Sequence, residues 1–413
     1  MTRILSGVVA TVLAAAGVAA VPAHAADTIV IWSDPTHAQA IRDLVPNGVQ
    51  GIPVTVVEKD PANVRAELAG VGAKQGPDLI WGDLAWTGEL ADAGLLAPIE
   101  LKKRIRSQFR PNVLVGSVVG GEQMGLPVQI SNLALITNTA LVPTQPRTFG
   151  ELSDLALKLT KKQKKITIPL ALPQGEGTSP WTTYPLFSGL GGYLFGRSSD
   201  GSINLSDVGL STKDFRARAD VINTWNSSGL LSSSLTAEQA KRAFARGKSP
   251  FWLAGPEELQ SLLDLDFAYR IGSIPPIVSG VKTAPLLTVQ GFMVTSFAAK
   301  HGVEEQVKAL VSTTLAREGA QQKLADASGQ YPANIKAAET VATGGGRIRA
   351  IGNAGVDGVT MPNAPQAGVL WEPYALAWLD STAGVDATPA QQAFRTAQRS
   401  VVASLGGGTV PTE

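Results

Sequence analysis

Apolar positions along this chain switch repeatedly between short continuous runs and recurrence every three or four residues. "TIVIW" (28–32), "VTVVE" (54–58) and "DLIW" (78–81) are brief, β-branched runs that predict three strands. Between the second and third, Pro61 suits a first helical position, and Val64, Leu68 and Val71 recur at helical spacing before Gly72 and Gly76 stop the helix. The unit is β-α-β. Thr148 and Glu151 form a capping box ahead of Leu152, Leu155, Ala156 and Leu159, and "ITIPLA" (166–171) predicts the next strand. The box recurs at Thr236 and Gln239; that helix closes near Gly247 and leads to a strand at "PFWLA" (250–254). Gly255-Pro256 then turns into a helix expected from about Glu257. Thr388-Pro389 opens a last helix, on which Phe394, Ala397 and Val401 share a face. Strands alternating with amphipathic helices predict an α/β fold built on a parallel sheet.

The ends and the composition narrow this further. Arg3, the apolar run from Ile4 to Val21 and Ala23-His24-Ala25 read as an export signal over residues 1–25, with the mature chain beginning near Ala26. A membrane anchor through the same run is the weaker reading, because the run is short and the cleavage pattern good. At 413 residues the chain exceeds what one hydrophobic core serves, so two domains are expected. Cysteine is absent, which excludes disulfides, thiolate metal sites and a lipid-bearing cysteine at the mature N-terminus. The expectation is a periplasmic or secreted protein that is not lipid-anchored. With 35 basic and 34 acidic residues, neither nucleic acid nor an anionic membrane is expected as the main partner. The 43 glycines are dispersed among turns, and "TGGGR" (343–347) is expected to be a flexible loop.

Ligands of open α/β sheets sit beyond the carboxyl ends of the strands. There the sequence places Trp32, Ser33 and Asp34, then Glu58, then Trp81, Gly82, Asp83 and Trp86. Three carboxylates and three indoles are expected on one edge. Carboxylates accept hydrogen bonds from hydroxyls and flat rings cover C–H faces, a combination suited to a neutral polyhydroxylated ligand. Each residue also has a plain structural role open to it: Asp34 and Asp83 as caps, Trp32 as core. Metalloprotease, nucleophile-elbow and P-loop motifs are missing, and "GLGGYLFG" has Leu194 where a dinucleotide fingerprint needs its last glycine. Only His37 and His301 follow the signal, so no metal or cofactor is expected. A two-carboxylate glycosidase stays open. "SPWTTYPLFSGLGGYL" (179–194) gathers Trp181, Tyr184, Phe187 and Tyr193, either as core or as a platform for a ligand. Trp225 and Trp252 read as core, and the basic run "KLTKKQKK" (158–165) as a solvated helix end.

Several segments, in order, carry a resemblance: "GPDLIWGDLAWTGELADAGLLAPI", "LPVQISNLALITNTALVP", "TFGELSDLALKL", "SPWTTYPLFSGLGGYLF", "AFARGKSPFWLAGP" and "MPNAPQAGVLW". The chain resembles the maltose-binding protein group among the extracellular solute-binding proteins of ABC transporters. That resemblance implies a two-lobe, type II periplasmic binding protein fold with a sugar in the cleft between the lobes and hinge closure around it. The lobes would hold residues 26–130 plus 287–332 and 131–286 plus 333–413, with crossings near Ile130, Leu287 and Tyr331. Trp371 and Trp181 fall where the family stacks rings on sugar, and Trp81, Asp83 and Trp86 lie in its ligand-contacting segment. Ser179 and Ser131 replace acids of the maltose binders, and Glu257 replaces a stacking tryptophan. The implied function is binding of maltose, maltodextrin or a related α-glucoside by a monomer that delivers it to membrane permease subunits, without catalysis. Tyr184, Phe187 and Tyr193 are then expected to pack the helix after Trp181, and the basic run gains a second reading as a contact to a transporter subunit. Binding of a phosphorylated polyol and an exported glycosidase are the alternatives.

Overall fold

A computed structural model describes residues 28–174, 180–341 and 345–406. The expected signal, Ser179 and the first two residues of "TGGGR" lie outside them.

The first three strands form where the β-branched runs place them: β1 (Ile29–Ser33), β2 (Val54–Glu58) and β3 (Leu79–Asp83), with β1 parallel to both others. After β1, Asp34 caps helix α1 (Pro35–Leu44) by accepting from the His37 amide at 2.7 Å, and Pro35 occupies a first-turn position that needs no N–H. Helix α2 (Val64–Gly70) starts three residues later than Pro61 suggests. Asp60 accepts from the Ala62 amide and from Asn63, which folds residues 60–63 into a turn first.

Beyond β3 the sheet is mixed, not the all-parallel sheet that the alternation of strands and helices predicts. Strand β4 (Leu126–Ser131) precedes β5 (Ala134–Asn138), β6 (Phe251–Ala254), β7 (Tyr269–Gly272), β8 (Leu286–Val294), β9 (Tyr331–Pro332) and β10 (Val359–Thr360). The large sheet runs β9-β4-β8-β3-β1-β2, with β10 paired to the start of β8. β8 is antiparallel to both β3 and β4. Ile130 therefore lies between Val289 and Tyr331, so three segments far apart in sequence run side by side. A second, antiparallel sheet of β6, β5 and β7 belongs to the other half of the molecule.

Two principal apolar cores follow this division. One gathers Ile29, Ile31, Leu79, Ile80, Leu126, Val128, Phe292 and Val294, together with Ala333, Ala338, Val341 and Ile348. The other packs helices α3 (Phe149–Lys162), α4 (Tyr184–Gly189), α7 (Trp371–Ser381) and α8 (Ala390–Ser404) around Phe187, Phe215, Tyr374 and Phe394. Here α5 (Ala237–Ala245) carries the complete Thr236/Gln239 capping box and α6 is Gly345–Ala354. At α3, Thr148 caps the Glu151 amide, but the Glu151 carboxylate returns to the Arg147 amide instead of that of Thr148.

Three expectations require correction. "ITIPLA" is not a strand. Pro169 lacks an N–H, both Thr167 and Ile168 donate to the one carbonyl of Lys248, and only Ala171 bridges to Trp252. The segment after Gly255 makes only a short 3₁₀ turn, Pro256–Glu258. Gly345, Gly346 and Arg347, expected in a flexible loop, open α6.

Candidate ligand-binding site

The carboxyl ends of β1 and β3 surround a pocket of about 150 Å³, lined by Ser33, Asp34, Lys59, Pro61, Val64, Trp81, Gly82, Asp83, Trp86 and Gln290. Parallel pairing of β1 and β3 brings Asp34 and Asp83, 49 positions apart, to one mouth. Of the three carboxylates and three indoles expected there, the pocket gathers Asp34, Asp83, Trp81 and Trp86. Trp32 is buried core, with the Lys59 ammonium 4.2 Å from its ring centre. Glu58 points away from the lining and pairs with Arg42 at 3.0 Å. A side chain that ends a strand alternates to the opposite face from its neighbour, so Lys59 enters the pocket and Glu58 does not.

The two pocket carboxyls differ. Both Asp34 oxygens approach Nδ1 of His37, at 2.8 and 2.9 Å. Burial pushes the Asp34 carboxyl up, but the hydrogen bonds and charge of His37, with the Thr36 amide, outweigh burial and hold it below the usual value. Among the described residues no ion pair engages Asp83, and Lys59, which shares the lining, is paired with Glu67. Its burial raises the carboxyl above the usual range, partly offset by the Ala85 amide donating at 2.9 Å. That leaves Asp83 with an oxygen for a ligand hydroxyl.

The two rings also differ. Trp81 is stacked on His37 at 4.0 Å and meets Phe292 edge-on at 5.1 Å, so it serves as a wall with one face covered. Trp86 is half-buried and lies across Gly82. A Cβ at position 82 would come within 2.3 Å of the Trp86 ring, so glycine is required for this ring to lie flat. Behind the pocket, Nε2 of His37 faces Gln129 Oε1 at 3.1 Å, and Gln129 donates to Gln290. Lys59, His37 and Gln290 escaped the sequence reading. Lys59 directly follows a strand and was legible by that rule; Gln290 reaches the pocket only because β8 pairs opposite Asp83.

The remaining candidates sit elsewhere. Trp181, in the turn 180–183, and Trp371, first residue of α7, are half-buried against the second core. Ser131 closes β4 opposite Thr288, half-buried. Glu257 is exposed and bonds the Gly255 amide of its own turn at 3.2 Å. Tyr184 and Phe187 are fully buried, Tyr193 donates to Asp207, and Trp225 and Trp252 are core.

A polar pocket at strand ends beside a second, separately cored half suggests a solute-binding architecture, and comparison with known proteins tests that. Residues 47–344 match the family described as bacterial extracellular solute-binding protein. The chain belongs to that family. This solute-binding protein is 25% identical over 392 residues to a galactooligosaccharide-binding protein of Bacillus subtilis, covering 92% of this chain and 90% of the relative. It is 24% identical to a maltooligosaccharide ABC transporter solute-binding lipoprotein of Streptococcus pneumoniae, covering 75% and 72%. Its fold superposes on an extracellular solute-binding protein of Staphylococcus aureus solved with maltose, with a TM-score of 0.80, 20% identity and coverage of 92% and 98%. A cyclo/maltodextrin-binding protein solved with maltotetraose gives 0.80 at 21% identity, covering 92% and 97%. The two-lobe α/β fold is thereby established.

One prediction arises from Asp83. A carboxyl whose folded value is raised contributes stability fully below its ordinary value of 3.8, and that contribution is lost as pH rises through the raised value. Charged Asp83 is thus a net cost to the ligand-free protein at neutral pH. Asp83→Asn keeps the oxygen that caps Ala85, and should raise the ligand-free melting midpoint at neutral pH while weakening solute binding. Melting curves across the acid range should converge with wild type as pH falls. Equal midpoints at neutral pH would contradict this account.

Proposed function

We propose that this solute-binding protein binds a neutral oligosaccharide, of the maltose, maltodextrin or related α-glucoside class, and delivers it to the permease subunits of an ABC transporter. The observation that carries the reading is the pocket itself, in which the Asp83 carboxyl keeps an oxygen beyond the one that caps Ala85 and stands beside the flat ring of Trp86, with Lys59 the one cation in the lining and Arg65 5.9 Å from the Trp86 ring centre. Carboxylate-to-hydroxyl bonds and ring-to-C–H stacking are what a sugar needs. The names of the relatives, galactooligosaccharide- and maltooligosaccharide-binding proteins, support the same class.

In this reading Trp371 and Trp181 supply stacking faces from the second lobe, and Ser131, Ser179 and Glu257 alter the polar contacts that select the sugar. The first lobe comprises residues 26–130 plus 287–332 and the second 131–286 plus 333–413, with Ala333, Ala338, Val341 and Ile348 packing across that division into the first core. Ile130, Leu287 and Tyr331 act as hinge points. The protein is exported, carries no cysteine-linked lipid, works as a monomer and does not turn over its ligand. Hydrolysis by two carboxyls needs one as proton donor and the other as base or nucleophile, whereas both Asp34 oxygens are engaged by His37. A phosphorylated polyol is disfavoured because Lys59, the one pocket cation, is paired with Glu67.

The test is a thermal-shift and tryptophan-fluorescence screen with glucose, maltose, trehalose, sucrose, maltotriose and glycerol phosphodiesters. A true ligand at about a hundred times Kd should add roughly 2.7 kcal/mol of stability. Trp371→Ala should weaken binding about tenfold, since a stacked ring contributes roughly 0.5–1.5 kcal/mol beyond the area it buries. No response to any sugar would overturn the carbohydrate assignment, and release of reducing sugar would overturn the absence of catalysis.

A further inference from the structure

The ligand pocket leaves the basic run 158–165 unexplained. Lys158, Lys161 and Lys162 lie on the exposed last turns of α3, and Lys164 and Lys165 follow, also exposed. The amides of Thr167 and Ile168 donate to the Lys248 carbonyl at 3.0 and 3.2 Å, which brings this run against the end of α5. There Arg242, Arg246 and Lys248 line a groove of about 420 Å³ with Ser232, Ser234 and Thr167. Tertiary structure thus assembles one cationic face from two segments remote in sequence. Glu238 approaches Arg242 at 3.6 Å, and among the described residues no other ion pair engages these eight cations.

A face that served only solubility would mix both signs, as the balanced composition of the whole chain allows. We propose that this face of the second lobe rests reversibly on an anionic phospholipid surface, with headgroup phosphate entering the groove between Arg242, Arg246 and Lys248. Lysines predominate, and mobile point charges suit a diffuse headgroup field better than the registered pairs of a protein interface. Among the described residues the exposed large apolar side chains are Leu263, Val356, Val359, Leu376 and Val385, none in these segments, and the apolar lining of the groove, Ile168, Pro169, Leu170, Leu230 and Leu235, is half-buried or buried, so a protein partner would find little exposed apolar surface to anchor on. Near-neutrality of the whole chain confines the attraction to contact range, about 10 Å at 0.1 M salt. The proposal does not depend on which solute is bound.

Sedimentation of the chain from Ala26 onward with vesicles tests it. Vesicles of phosphatidylcholine and phosphatidylglycerol should take up the protein, and vesicles of phosphatidylcholine alone should not. Uptake should vanish toward 1 M salt, where screening falls to about 3 Å. Each cation near such a surface is worth roughly fivefold in partitioning, so the combined Lys161→Glu, Lys164→Glu, Lys165→Glu and Arg246→Glu variant should lose at least about a hundredfold. The corresponding glutamine variant should lose less, and both should keep the wild-type melting midpoint. Equal uptake by both vesicle types, or unchanged partitioning of a folded glutamate variant, would overturn the proposal; so would attachment to an acidic protein without uptake by anionic vesicles.

Discussion

Replacing Asp78 by alanine should destabilise the first lobe by about 3–5 kcal/mol, the range for breaking a buried charge-bearing pair from one side. Asp78 is fully buried. Its Oδ2 accepts from the Val30 amide at 2.7 Å, and its Oδ1 meets Nδ1 of His301 at 2.7 Å. The other ring nitrogen of His301 contacts the Ala73 carbonyl. One side chain therefore ties β1, the start of β3 and the residues after β8 together. Alanine leaves the buried Val30 amide without its acceptor, costly in a dry interior, and removes one acceptor from the part-buried His301 ring. Asp78→Asn retains one acceptor and should recover part of the loss. Urea unfolding of both variants measures it, and a loss under about 1 kcal/mol for alanine would show that His301 and Val30 find other partners. Because Asp78 directly precedes β3, the ligand affinity of the folded fraction should fall too.

In the second lobe the largest effect is expected from Phe187→Ala, at about 3–5 kcal/mol. Phe187 is fully buried and contacts Phe215, Tyr374 and Phe394 with ring centres 4.7, 5.2 and 5.2 Å away. A Cβ on Gly192 would meet its ring at 2.2 Å, so the chain has been kept bare at that point to seat it. Such a site, enclosed by four elements, collapses poorly when emptied. Phe187→Leu refills most of the volume and should cost less than half as much. The check is the unfolding transition of this lobe, with a loss below about 1.5 kcal/mol for alanine marking a core that relaxes into the space.

The two residues show how much was legible. The gathering of rings at 179–194 raised the alternatives of core or platform, and apolar spacing could not separate them. Burial does so for Tyr184 and Phe187, whose rings close the second core. Asp78 looked like the start of a strand and nothing more, because His301 lies 223 positions away. At the site, Asp34, Asp83, Trp81 and Trp86 were readable as residues at strand ends. The order β4-β8-β3 was not, and it is what brings Gln290 to Asp83. Residues 166–171 carry a β-branched composition, yet Pro169, whose missing N–H cannot join a ladder, keeps them out of a strand.

The sequence by itself determined most of the alternation of strands and helices, the caps at Asp34, Thr148 and Thr236, and the carboxylate and indole residues at the ends of β1 and β3. These are consequences of local periodicity and local hydrogen bonding, which neighbours along the chain suffice to specify. Only the tertiary structure decided that Glu58 turns away while Lys59 enters, that His37 covers one face of Trp81 and occupies Asp34, and that two basic segments meet on one face. Each depends on pairings between segments tens to hundreds of positions apart, and no local pattern encodes which distant strand or side chain will arrive.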